Sequence, residues 1–304
     1  MTSESPSEAH LVELAGLARR LEQGGIYNGS KLVRAILERE LLRSADLVRP
    51  RSGPDAAADL ERLAGVADDD GDPALAAALR SAATAVRDDS PLALADAPPA
   101  FTCRTCGHIV LTSLPERCPR CDAPALAFRE HLPVWYLEPM PIVDALEALA
   151  AGPVQVDVAI AGRDDAELAR PPRPGEWSAR DTLEHLVTAE ELLTVRVPRL
   201  LREDDPELVP SAAWAATGGD EATSATAEPA SAIAARFAAM RGATVALLRE
   251  LPPGSWERPG RHPEWGRVTV RSQVVYFIRH QASHMAQLVA ATEGRIPGGP
   301  IDGP

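Results

Sequence analysis

Apolar residues recur at helical spacing through most of the chain, and the breakers between these runs divide it into segments. Leu11, Leu14, Leu17, Ala18 and Leu21 share one face of a first helix that Ser7 can cap and that runs to Arg20, with Gly24 and Gly25 ending it. Leu32, Ile36, Leu37 and Leu41 mark a second helix from Ser30 to Leu47, stopped by RPRSGP, and Tyr27 and Asn28 fall in the break between the two. Two Ala-rich helices over 55–66 and 73–87 flank the acidic loop DDDGD. Residues 1–96 therefore read as an N-terminal helical module, folded as a small bundle. Beyond Pro133 four long patterns, over 140–160 with an interruption near Pro153, 178–203, 229–251 and 269–293, predict a four-helix bundle across residues 133–304. Ser178 and Asp181 form a capping box at the start of its second helix.

The two helical regions are joined by residues 97–132, in which DAPPA reads as a linker and HIVLT and ALAF as short β-type pieces among turn residues. The connection SAAWAATGGDEATSATAEP, rich in Ala, Thr, Ser and Gly, reads as a mobile segment that could cover a site or be an idle insertion. The fold class is mainly α with one small β segment. Composition agrees: hydrophobic residues make up 45% and aromatics only 4%, and the abundant Ala and Leu favour helix while strands select β-branched and aromatic side chains.

A formal net charge of −13 argues against a nucleic-acid partner. Lys31 is the single lysine and the arginines are scattered without a run, whereas phosphate-backbone binding needs a basic face. No apolar stretch approaches the roughly 18–20 residues that span a bilayer, and the opening MTSESPSEAH is polar and acidic, so a cytoplasmic protein with no membrane partner is expected.

The strongest chemical signal is FTCRTCGHIVLTSLPERCPRCDAPALAF, where Cys103 and Cys106 form one C-x-x-C pair and Cys118 and Cys121 a second. Each pair can turn two thiolates toward one metal, and together they complete a tetrahedral site for zinc or iron. All four cysteines of the chain lie here, which in a reducing compartment reads as metal ligation rather than disulfides. Gly107 suits the left-handed backbone of such a turn, and Asp122 at the matching place suits it less well. The segment, with an aromatic two residues before the first cysteine and the phrase PERCPRC, resembles the rubredoxin-like domain of rubrerythrins. That resemblance stops at the segment: no Glu precedes any histidine by three positions, so the Glu-x-x-His pairs of a di-iron bundle are missing.

Four of the seven histidines have ordinary explanations: His10 in a first helical turn, His108 beside a knuckle, His131 in a linker and His262 in a polar loop. His280 and His284 are four apart and share a helical face, and His185 lies on another helix beside Leu183, Leu186 and Val187. By itself a His-x-x-x-His pair fits a satisfied core pair or an exposed one better than a metal site. Buried imidazoles do, however, need partners for both ring nitrogens. GEWS followed by His185, Gly266, Val268 and Thr269 opening the last helix, and His280 and His284 with Gln287 after them resemble the DinB-like metal-binding four-helix bundles over residues 139–295.

The resemblance implies that His185, His280 and His284 bind a divalent metal, zinc or nickel, with a position left open for water or substrate. It also implies an enzyme that transfers a low-molecular-weight thiol, or a hydrolase or isomerase, acting on a small-molecule thiol or electrophile. No catalytic acid or base sits at a motif-defined position. Glu184 and Glu190 read as solvent-facing as readily as functional, and Trp177, Trp256 and Trp265 read as core or loop anchors. The alternatives are a non-catalytic metal-binding or interaction protein whose N-terminal module docks a partner, a homodimer being compatible with it, and an iron redox protein using the knuckle.

Overall fold

A computed structural model describes residues 8–47, 54–90, 92–210 and 228–295. Ser7, expected to cap the first helix, and the connection around Trp214 lie outside these residues. The N-terminal module consists of α1 (Glu8–Gln23), α2 (Tyr27–Leu47), α3 (Pro54–Asp69) and α4 (Pro73–Arg87). Tyr27 and Asn28 open α2 rather than sitting in a break, because Gly25 at φ +77° turns the chain within two residues. The helices pair as two αα-hairpins, α1 with α2 and α3 with α4, instead of one bundle. The second hairpin closes on Ala64, Ala67 and Ala76, small side chains that let the helix backbones approach.

The middle segment is a three-stranded antiparallel sheet in the order β2-β1-β3, with β1 at Ala100–Cys103, β2 at Ile109–Leu111 and β3 at Phe128–His131. Two expectations shift here. ALAF contributes only Phe128 to a strand, since Ala125–Ala127 form a 3-10 turn, and His131 ends β3 instead of lying in a linker, its Nε2 2.9 Å from Thr102 Oγ1.

The C-terminal region is built from α5 (Ile142–Ile160), the short α6 (Asp165–Leu168), α7 (Ala179–Arg202), α8 (Ala230–Arg249) and α9 (Val270–Thr292). In cross-section α5 packs on α8 and α9, and α7 packs on α8 and α9, so α5 and α7 lie diagonally across the bundle. Ser178 caps α7 through the expected box with Asp181, and Thr269 with Ser272 does the same for α9. Pro153 does not interrupt α5, whose buried Leu149, Gly152 and Val156 hold it against two helices on either side of the proline. Residues expected as polar loop form a hairpin, β4 (Pro259–His262) with β5 (Gly266–Thr269), turned by Gly266 at φ +74°. By length and composition α8 is apolar enough to cross a membrane, contrary to the sequence expectation. Its inner face nevertheless carries buried Arg241 and Thr244, both bonded to α7, as befits a bundle core helix.

The bundle core is split in two. One cluster gathers Leu149, Leu193, Val197, Val245 and Val274, and the other Val156, Leu183, Val187, Phe237 and Leu288. Between them lies one polar layer to which all four helices contribute: Gly152, Glu190, Arg241 and Gln281. Arg241 Nε donates to Glu190 Oε2 (2.8 Å), its Nη1 to Gln281 Oε1 (2.6 Å), and Thr244 Oγ1 donates to Glu190 Oε1 (2.8 Å). A Cβ at Gly152 would stand 2.7 Å from both terminal atoms of Gln281, so a larger residue at this position of α5 displaces the amide to which Arg241 donates. Glu190 is 1% exposed and Glu184, paired with Arg180 at 3.6 Å, is also buried, which corrects the solvent-facing reading of both.

Candidate metal centres

His185 projects from α7 toward His280 and His284 on α9. The Nε2 atoms of His185 and His280 are 3.3 Å apart, and those of His280 and His284 3.1 Å. A metal bonded to nitrogens at about 2.0–2.1 Å in tetrahedral directions separates them by about 3.3–3.4 Å, close to this spacing. Burial, reinforced by the neighbouring imidazoles, pushes His280 down to about 3, and burial lowers His284 against the opposing Gln287 bond, so both rings are neutral at pH 7. His284 Nδ1 lies against Gln287 Oε1; a carbonyl oxygen only accepts, so the proton sits on Nδ1 and Nε2 presents its lone pair to the cluster. His280 Nδ1 is buried without a partner among the described residues, so none of them fixes the tautomer of that ring by a hydrogen bond to Nδ1.

Aromatic rings enclose the cluster. Trp177 lies 4.9 Å from the His185 ring and stacks at 5.9 Å on His284, while Tyr136 and Tyr276 approach His280 at 5.9 and 5.8 Å. Trp177 is thus a wall of the candidate site, not a core anchor, and is 43% exposed. Capping at Ser178 explains its placement, because the residue before an N-cap folds back over the helix start. A cleft of about 220 Å³ opens beside His284, bounded by Pro172, Trp177, Gln287, Ala291 and Arg295, with Glu176 on its rim. Sequence reading missed Tyr136, Glu176 and Arg295, whose types at loop and helix-end positions carry no spacing signal.

His262, expected in a polar loop, is 1% exposed. Its ring stacks on Trp265 at 3.8 Å, and the Glu264 backbone N–H donates to its Nδ1 (3.2 Å). Burial first and the Arg196 charge second push it down to about 4. Because the unfolded chain takes up this proton near pH 6.5 and the folded chain only near 4, the folded state loses stability as pH falls through that window. About 3 kcal/mol is at stake. NMR titration should show the His262 ring unchanged from pH 7.5 to 5, and an inflection near 6.5 would contradict its buried, neutral state.

In the knuckle, Cys103 Sγ lies 3.7 Å from Cys121 Sγ, and Cys106 Sγ 3.7 Å from Cys118 Sγ. A disulfide would hold its sulfurs near 2.05 Å, whereas a tetrahedral centre with bonds of about 2.3 Å has edges of about 3.75 Å. The two turns match: Gly107 N–H donates to Cys103 O (2.8 Å) and Asp122 N–H to Cys118 O (2.9 Å). Asp122 adopts φ +62° beside Gly107 at +77°, accepting the less favoured conformation while Arg117 pairs with its carboxylate at 3.0 Å. Cys103→Ser should release one metal and unfold residues 101–129, since so small a sheet draws most of its folding free energy from the ion. Helical circular dichroism from the separate bundle core should persist; collapse of the whole chain would show that the two units fold as one.

Among the described residues these are the two groups whose ligand atoms converge for an ion: Cys103, Cys106, Cys118 and Cys121, and His185, His280 and His284. Residues 101–129 match the rubrerythrin rubredoxin-like domain. A relative from Bacillus subtilis (strain 168), named "Putative metal-dependent hydrolase YfiT", is 25% identical over 146 residues, which cover 47% of this chain and 79% of the relative. The solved structure of YfiT from Bacillus subtilis, described as having an unusual four-helix bundle topology, aligns with 51% of this chain and 90% of its own at 23% identity and a TM-score of 0.45. Residues 134–288, half of the chain, match the DinB superfamily, and the chain is a member of that superfamily with a rubredoxin-like knuckle placed before the bundle.

Proposed function

We propose that the bundle is a metal-dependent enzyme in which His185, His280 and His284 would hold one divalent ion, zinc or nickel, beside the cleft at His284. The observation that carries this reading is the convergence of three imidazole Nε2 atoms from two helices, at spacings that suit one ion. Such an ion, when bound, supplies Lewis acidity and makes a coordinated nucleophile available at neutral pH. The residues of the chain supply the rest. Gln287 orients His284 and fixes its proton on Nδ1. Trp177 walls the cleft and shields the histidines from bulk water, and Glu176 is the carboxylate on the rim that can exchange a proton with a bound molecule.

The cleft volume of about 220 Å³ suits a small substrate. The reaction we favour is attack of a low-molecular-weight thiol on a small electrophile, with hydrolysis as the second reading, supported by the name of the relative from Bacillus subtilis. The Cys-rich knuckle would hold zinc in a structural role, or iron in a redox role that a visible spectrum of the purified chain reveals. Metal-loaded protein should be assayed against thiol and electrophile pairs in parallel with small esters and amides. Turnover of either class that disappears in His284→Ala supports the enzyme reading. Turnover unchanged in that variant would place the reaction away from the three histidines, and none in a parent shown to carry the second metal would favour the interaction protein.

A further inference from the structure

Arg196 on α7 is 1% exposed, and among the described residues no carboxylate lies within ion-pair distance of it. Its Nη1 donates to Gln273 Oε1 (3.0 Å) and its Nη2 to Val209 O (2.5 Å), and Nη2 also stands 3.3 Å from His262 Nε2. Arg196 Nε and Gln273 Nε2 are buried without partners among the described residues. The contact with His262 is itself frustrated. A neutral imidazole has one N–H; if Nδ1 accepts from the Glu264 N–H, then Nε2–H faces an Arg196 N–H, and the other tautomer sets Nδ1–H against Glu264. Every group left unsatisfied is therefore a donor, and the guanidinium beside them has no ion-pair partner among the described residues, Glu264 acting on it only from a longer distance. A water would accept from these donors but leave the guanidinium charge in place. An anion accepts from them and offsets that charge.

We infer that Arg196, Gln273 and His262 form a second ligand site, distinct from the three histidines, that takes a small carboxylate. Nε and Nη2 share the guanidinium edge on which carboxylates bind side-on. Trp265 walls the site, stacked on His262 and 5.7 Å from the Arg196 guanidinium carbon. Tyr276 touches Trp265 at 4.5 Å and His280 at 5.8 Å, so one aromatic ring separates this site from the histidine cluster. The carboxylate can thus come from a free small acid, or from one end of a molecule whose other end reaches the histidines. The proposal stands on Arg196 and its neighbours and does not require the bundle to be an enzyme.

The test is calorimetric titration of the full-length, metal-loaded chain at constant ionic strength, with formate in one arm and mercaptocarboxylates of increasing length in the other. Formate binding that matches every longer acid identifies a free anion, whereas affinity that rises with chain length and is lost in His284→Ala identifies a substrate carboxylate. Either result should weaken at least about tenfold in Gln273→Glu, which keeps the acceptor for Arg196 Nη1, removes the amide donor and sets a negative charge against the incoming anion. Bromide-soaked crystals of the parent give a readout free of any variant, with an anomalous peak expected beside Arg196 Nε. No binding in either arm with no such peak, or binding unchanged in a folded Gln273→Glu, overturns the site.

Discussion

Glu190→Ala is expected to lower the stability of the bundle by about 3–5 kcal/mol, because it strands a guanidinium in the core. Arg241, with 3% of its side chain exposed, would keep only Gln281 Oε1 and the face of Phe237 at 4.9 Å, and Thr244 would lose its carboxylate acceptor. The loss comes from leaving one charge unpaired and not from the net worth of the pair, since charges removed from water together are compensated mainly by each other. The double change Glu190→Leu with Arg241→Met should therefore recover most of the loss. Urea denaturation followed by helical circular dichroism measures both. A single-variant loss below about 1 kcal/mol would place the pair in water, contrary to its burial.

His280→Ala should weaken the bundle metal by more than about 100-fold, beyond the 10–100-fold typical of changes to groups that only support ligands. His280 is the choice because its Nε2 is the atom that neighbours both of the others. Its ring is not what holds α9, which is fixed by the capping box at Thr269 and by buried Val274, Phe277, Ile278 and Leu288. Removing this ring breaks no hydrogen bond to Nδ1 among the described residues. His185→Ala and His284→Ala should act on the same metal, and Glu184→Ala should not, because that carboxylate pairs with Arg180. Thermal melts of the metal-free variants separate the two effects: an unfolded His280→Ala chain would show the ring to be structural.

Much of this was legible in the sequence because it rests on local spacing. The helix periods, the Ser178 box, the C-x-x-C pairs and the four-residue step from His280 to His284 are all determined within a turn or two of chain. What sequence reading misjudged depends on long-range packing. Glu190 looks like any polar position of an amphipathic helix until α8 brings Arg241 against it, and Gly152 gives no sign that Gln281 needs its space. His262 stands among Arg, Pro, Glu and Gly, a loop composition, yet hairpin pairing and the Trp265 stack bury it. Pro153 carries a helix-breaking signal that contacts with α8 and α9 override. Trp177 looked like an anchor because nothing local shows that α9 passes beside it.

Two converging ligand clusters should hold two metal ions per chain. The full-length protein, stripped and reloaded with zinc or nickel at neutral pH and then desalted, should retain two ions per chain by mass spectrometry of the elements. His280→Ala and Cys103→Ser should each retain one, the first in the four-cysteine knuckle and the second among the histidines. A parent that holds a single ion, and keeps it unchanged in His280→Ala, would contradict the account.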